Sequence, residues 1–272
     1  MKNKLFFIGL FLVSLIGFSN NKSFFNSVPF SFDNAEYINE FTTRIPFKLV
    51  DRLIIIEGNL KNKKGNFIID TGSETLILNK KYFKTYRFNH SKEGITNGVI
   101  SSVENPIEKT ISKLSLKNLH FKNKTSDIIN LSHIEKSKKI KLLGIIGYDL
   151  LKEYEVFIDM HLNQITLTKV DKQGNKLTDK VYLEKITDSI SFTLKKHTIV
   201  VNGTINKHKV KLGIDTAAEF NQINKSINKK ALKYFIPKKR LKLNGVSNKT
   251  IRVLAGKLHR VKLNDNVYFG PM

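Results

Sequence analysis

Short apolar runs broken at close intervals by polar turns make up most of this chain, and they predict strands rather than helices. Residues 20 to about 45 are polar and aromatic without a clear period and read as a lead-in arm. Ile45-Pro46-Phe47-Lys48-Leu49 opens the first dense region. Leu53 to Ile56 and Phe67 to Ile69 are β-branched or aromatic runs separated by Asn62-Lys63-Lys64-Gly65, which predicts a hairpin turning at those polar residues. Leu76-Ile77-Leu78 is a further strand, and Asn97-Gly98-Val99 is a turn signal. Ile111, Leu114, Leu116, Leu119 and Phe121 form a largely alternating strand pattern. Leu142-Leu143-Gly144-Ile145-Ile146-Gly147 is a buried run punctuated by glycines. Tyr148 to Tyr154 has short helical character, and Glu155 to Leu167 reads as a closing hairpin.

After the polar stretch Asp171 to Lys176 the pattern restarts. His197 to Ile205 and Val210 to Ile214 predict a second hairpin, Asn244-Gly245-Val246 repeats the earlier turn signal, and Val261, Leu263, Val267 and Phe269 echo Leu114, Leu116, Leu119 and Phe121. Landmarks that keep their order at a near-constant spacing indicate an internal repeat. Its centre is a duplicated motif, Asp70-Thr71-Gly72-Ser73-Glu74 and Asp215-Thr216-Ala217-Ala218-Glu219, 145 residues apart. The second copy has no counterpart of Gly144 to Gly147, the short helix or the closing hairpin, so its lobe is expected to be incomplete, with an unpaired sheet edge. A shortened chain, a fragment of a longer one, or completion by a partner would each account for that. The expected organisation is a signal peptide at 1–19, an arm at 20–45, a first lobe at 46–170, a linker at 171–190 and a second lobe at 191–272.

Composition adds three points. Met1 to Lys4 is basic, Leu5 to Phe18 is an uncharged apolar run of 14 residues, and Gly17-Phe18-Ser19 supplies small residues for cleavage. Because ~20 apolar residues are needed to cross a bilayer, this reads as a secretory signal, with retention as an anchor the alternative. The chain is therefore expected to be exported to the periplasm, cell surface or medium, and to meet a membrane only if that segment is retained. It contains no cysteine, so neither a disulfide nor a thiol nucleophile is available. The formal charge is +24, yet lysine is spread along the whole chain and its densest stretches fall in no recognisable nucleic-acid module, so no nucleic-acid partner is expected.

The repeated Asp-Thr motif is the candidate chemistry. Two carboxylates a few ångströms apart cannot both ionise, so they share a proton. The ionised member can take a proton from water while the protonated member polarises a carbonyl, and no metal or cofactor is required. Threonine after each Asp offers a hydroxyl that braces two loops against each other, and small residues next keep each loop tight. Ser73 could also hydrogen-bond the carboxylate edge, which Ala218 cannot. Glu74 and Glu219 match as well, although surface ion pairs explain them equally. Asp159 reads as a hairpin-turn residue and Asp149 as helix surface. His90, His120, His133, His161, His197, His208 and His259 show no metal-ligand spacing and read as solvated or structural. Serine-hydrolase elbows and glycine-rich phosphate loops are absent from the sequence.

Phe67-Ile68-Ile69-Asp70-Thr71-Gly72-Ser73 and Leu212-Gly213-Ile214-Asp215-Thr216-Ala217-Ala218 resemble the two active-site loops of pepsin-like and retroviral-type aspartic proteases. Gly144 to Leu151, followed by Ile158-Asp159, resembles the segment that completes a lobe in that family. The exported, single-chain bacterial retropepsin-like group is the nearest match, over about residues 45 to 272. The resemblance implies an all-β, two-lobed acid-protease barrel and an aspartic endopeptidase acting on peptide or protein. In it Asp70 and Asp215 are the catalytic pair, with Thr71, Gly72, Ser73, Thr216, Ala217 and Ala218 supporting the loops. It also places Asn97-Gly98-Val99 and Asn244-Gly245-Val246 in hairpins that cover substrate. Ala217 stands where the family usually has glycine, and a left-handed backbone or a close approach there would make its β-carbon costly. That residue and the incomplete lobe motivate the alternative of a non-catalytic peptide-binding descendant. A homodimer with two Asp70 residues facing each other is a third possibility.

Overall fold

The structure is a computed structural model describing residues 31–83, 90–91, 95–97, 102–104, 106–181, 186, 188–224, 226–244, 250–263 and 266–268. The N-terminal apolar segment, Gly98-Val99, Gly245-Val246 and Phe269 lie outside them. The first lobe contains β1 (Glu36–Asn39), β2 (Thr42–Val50), β3 (Leu53–Leu60), β4 (Lys63–Ile69), β5 (Leu76–Asn79), β6 (His90–Ser91), β7 (Ile95–Asn97), β8 (Ser102–Glu104), β9 (Ile107–Leu116), β10 (Leu119–Ile129), α1 (Ser132–Lys138), β11 (Leu142–Ile146), α2 (Tyr148–Leu151), β12 (Tyr154–Asp159) and β13 (Gln164–Lys169).

Strands β3, β4, β11, β5, β10 and β9 pair in that order, and β9 pairs back to β3, closing a six-stranded barrel. Side chains alternate along each strand, which divides the apolar runs between two cores. Ile54, Ile56, Leu60, Phe67, Ile69, Leu76, Leu78 and Ile146 belong to one buried cluster, whereas Leu53, Ile55, Ile68, Ile77 and Ile145 belong to another. Burial on both faces explains why these strands read as continuous apolar runs instead of alternating ones. Glycine is required where strands approach: a β-carbon on Gly144 would stand 2.2 Å from the Ile77 carbonyl oxygen.

The second lobe repeats the first at the level of register. It contains β14 (Phe192–Lys195), β15 (Thr198–Ile205), β16 (His208–Ile214), a 3-10 helix (Lys229–Tyr234), β17 (Phe235–Asn244), β18 (Thr250–Leu258), β19 (Val261–Leu263) and β20 (Asn266–Tyr268). Ile56 faces Phe67 in the first hairpin, and Val201 faces Leu212 in the second. Leu60 faces Leu114, and Ile205 faces Val261. The molecule is thus all-β and two-lobed, built on a repeat, as the sequence implied. Among the described residues β16 pairs only with β15, and nothing in the second lobe occupies the place that β11 has beside β4.

Two local expectations are corrected. The first hairpin turns at Lys61-Asn62 alone, both left-handed with φ of 49° and 62°, and Gly65 lies inside β4 opposite Gly58. The alternating pattern from Ile111 to Phe121 is not one strand: β9 and β10 form a hairpin around Lys117, whose φ is 55°, and Asn118. Within the stretch read as an arm, β1 pairs with the start of β2, and β2 lies between β13 and β3.

Candidate active site

Each repeated hairpin delivers its aspartate at the end of its second strand, Asp70 after β4 and Asp215 after β16. The Asp70 loop is fastened to its own barrel. The Asp70 amide donates to the Ile146 carbonyl (3.0 Å), and the amides of Tyr148 and Asp149 donate to the carbonyls of Ser73 (2.8 Å) and Glu74 (2.9 Å). Gly147 must be small because a β-carbon there would meet the carbonyl oxygens of Thr75 and Ser73 at 2.3 and 2.7 Å.

The two loops meet through their threonines. The Thr71 amide donates to Thr216 Oγ1 (3.1 Å), and the Thr216 amide donates to Thr71 Oγ1 (3.1 Å). Each hydroxyl then donates onward, Thr71 to the Ile214 carbonyl (3.2 Å) and Thr216 to the Ile69 carbonyl (2.9 Å). Those carbonyls belong to the residues immediately before the aspartates, so the exchange sets the two carboxylates face to face about a pseudo-two-fold axis.

Asp70 Oδ1 accepts from the amides of Gly72 (2.8 Å) and Ser73 (3.1 Å), and Asp215 Oδ1 accepts from the Ala217 amide (2.8 Å). The Asp215 carboxyl lies over Gly72, where a β-carbon would come within 2.7 Å of it. Burial, the facing Asp215 carboxylate and a hydrogen bond with it together push Asp70 up to about 7, against the opposing pull of the Gly72 and Ser73 amides.

The structure brings together all the sequence-predicted loop residues, with two changes of role. The Ser73 hydroxyl donates to the Thr75 carbonyl (3.3 Å), and it is the Ser73 amide that serves Asp70. Neither Gly72 nor Ala217 has a left-handed backbone, so glycine at position 72 answers close approach alone. The Ala217 methyl packs against the first-lobe cluster of Leu53, Ile55 and Ile68, which removes the objection to alanine. Asp149 pairs with Lys152 (2.6 Å), and Asp159 caps its hairpin by accepting from the amides of His161 and Leu162, as expected.

Residues missed by sequence reasoning hold the loops from the opposite lobe. Lys138 of α1 reaches Glu219 (2.7 Å) and Asp51 (3.2 Å). Arg52, at the β2–β3 turn, donates to the Glu219 carbonyl (3.1 Å) and lies 4.6 Å from the Phe220 ring centre. His197, 145 residues after Arg52, occupies the equivalent β14–β15 turn and lies 3.1 Å through Nε2 from the Gly72 carbonyl. The position shared by Arg52 and His197 in the repeat was the available signal.

No family model matches the chain, and no curated protein matches it. Among solved structures it is similar to a retropepsin-like aspartic protease from Rickettsia conorii, at 16% identity and a TM-score of 0.36, covering 52% of this chain and 97% of that one. It is also similar to an aspartic proteinase from Irpex lacteus, at 13% identity and a TM-score of 0.43, covering 78% of each chain. At these values the likenesses add no weight to the geometry of the two loops.

Proposed function

We propose that the chain is an aspartic endopeptidase in which Asp70 and Asp215 share one proton and activate a water between them. The observation that carries this reading is the reciprocal exchange between Thr71 and Thr216, because it brings two carboxylates together where one of them is driven to keep its proton. The ionised carboxylate takes a proton from water, whose oxygen bonds to the scissile carbonyl carbon. The protonated carboxyl gives its hydrogen to the carbonyl oxygen. Collapse of the tetrahedral intermediate breaks the C–N bond, the leaving nitrogen takes up a proton, and the pair returns to one shared hydrogen. Substrates on this reading are extended peptide segments. Export, inferred from the basic start and the apolar run Leu5 to Phe18, belongs to the same proposal.

The test is cleavage of a quenched fluorescent peptide library between pH 3 and pH 8 by the parent, Asp70→Asn and Asp215→Asn proteins. Turnover is expected to fall by about 10³-fold or more in each variant, since acid–base catalysis by a positioned group contributes on the order of 10²–10⁴. Parent activity should decline as pH rises through about 7, where Asp70 loses its proton. Undiminished cleavage by either folded variant would refute the assignment.

A further inference from the structure

His197 touches the Asp70 loop from the other lobe, and its two ring nitrogens are placed differently. A carbonyl can only accept, so the 3.1 Å contact with the Gly72 oxygen puts the hydrogen on Nε2. Nδ1 is buried and makes no hydrogen bond. The carboxylate it faces is Glu74, with Oε2 at 3.6 Å. In a neutral ring Nδ1 is a lone pair pointed at an anion. In a protonated ring it becomes a donor directed at that anion, and the imidazolium grips the Asp70 loop at both Gly72 and Glu74. Gly72 is also the residue whose amide holds Asp70 Oδ1 and over which the Asp215 carboxyl lies.

The mirrored tie is made differently. Around the Asp215 loop the same place in the repeat is filled by Arg52, and Glu219 is neutralised by Lys138, so that tie is permanently cationic. We propose that His197 is a positioning residue whose charged form completes the cross-lobe tie on the Asp70 loop, gripping it at Gly72 and Glu74 together. The charged groups near the ring are Glu74 and Asp70 of the loop it contacts, Asp215, whose carboxyl lies over Gly72, and the exposed Lys195 and Lys196 on its own turn.

The proposal deepens the proteolytic reading, and its test separates the two. The full chain and its His197→Ala, His197→Arg and His197→Gln variants are compared by amide hydrogen exchange at Gly72 and Ser73 between pH 4 and pH 8, and by peptide cleavage. His197→Ala is expected to speed exchange at both amides by about tenfold and to lower kcat by about tenfold with KM within about twofold, because a small misplacement of reacting groups can cost ~10²-fold. Arginine restores a permanent charge and should return both readouts to the levels the parent shows at the acidic end of the range, and hold them there as pH rises. Glutamine keeps the donor to Gly72 without the charge. The ratio of parent to variant exchange at each pH isolates the ring, since Asp70 titrates in every protein. That ratio should change with pH against both arginine and glutamine. A flat ratio, or unchanged exchange in His197→Ala, overturns the proposal. A parent that cleaves no peptide sinks the proteolytic reading while the exchange measurements still decide the role of His197.

Discussion

Strands β4 and β16 carry matching patterns and end in matching loops, yet their surroundings differ. In β4, Phe67, Ile68 and Ile69 are all buried, with β3 on one side and β11 on the other. In β16 no residue is fully buried, and Ile214, the counterpart of Ile69, is 39% exposed. The hairpin and its register are therefore local properties, set by a two-residue left-handed turn and by strand complementarity, and they persist without a second neighbour. Burial is not local. It comes from β11, which only the first lobe possesses among the described residues. The Asp215 loop compensates by leaning on the other lobe, through Thr71, Arg52 and Lys138 and through the Ala217 methyl against the first-lobe core.

The strongest lever on this contrast is charge in the packed lobe. The folded-state pKa of Asp70 is raised, so the stability linked to its proton is fully present below about 3.8 and is lost as pH rises towards about 7. Denaturant titrations should show stability falling across that window by up to ~1.4 kcal/mol per pH unit. Asp70→Asn should flatten the slope, and an unchanged slope would mean that the carboxyl is less enclosed than its surroundings indicate. Crowding is the next lever. Gly144→Ala drives a β-carbon against backbone at 2.2 Å and should cost about 3 kcal/mol, whereas Gly213→Ala in β16 meets only a Thr198 methyl at 3.5 Å and should stay within about 0.5 kcal/mol. Equal losses would erase the distinction between the lobes.

The threonine exchange predicts symmetry instead. Thr71→Ala and Thr216→Ala each remove one acceptor and one donor between the lobes, and each should cost about 2 kcal/mol in urea unfolding. A much milder effect at Thr216 would mean that the second lobe docks by other contacts. The smallest expected change is Ala217→Gly. Loss of a packed methyl together with added backbone freedom should lower stability by about 1 kcal/mol. A gain in the melting midpoint would show that the alanine is strained after all.

The repeat was legible because its signals are local. Short β-branched runs, an Asp-Thr-small-small motif and Gly144 with Gly147 each act within a few residues of themselves. The turn at Lys61-Asn62 was misplaced because Gly65 drew attention as the turn former, although asparagine tolerates a left-handed backbone and Gly65 is needed inside the strand to clear Leu143. The β9–β10 turn was missed because Lys117-Asn118 carries neither glycine nor proline. The ties made by Lys138, Arg52 and His197 were invisible for another reason: each links positions far apart in the chain, and a lone basic residue in a lysine-rich sequence bears no mark of its partner.

Each threonine hydroxyl serves backbone belonging to the other half, so neither half owns its own bracing. If the halves part by a few ångströms, both carboxyls lose their alignment together, and no half-strength intermediate survives. On the proposed reading, a chain break between the two lobes that let the pieces drift would silence the site outright rather than weaken it in proportion.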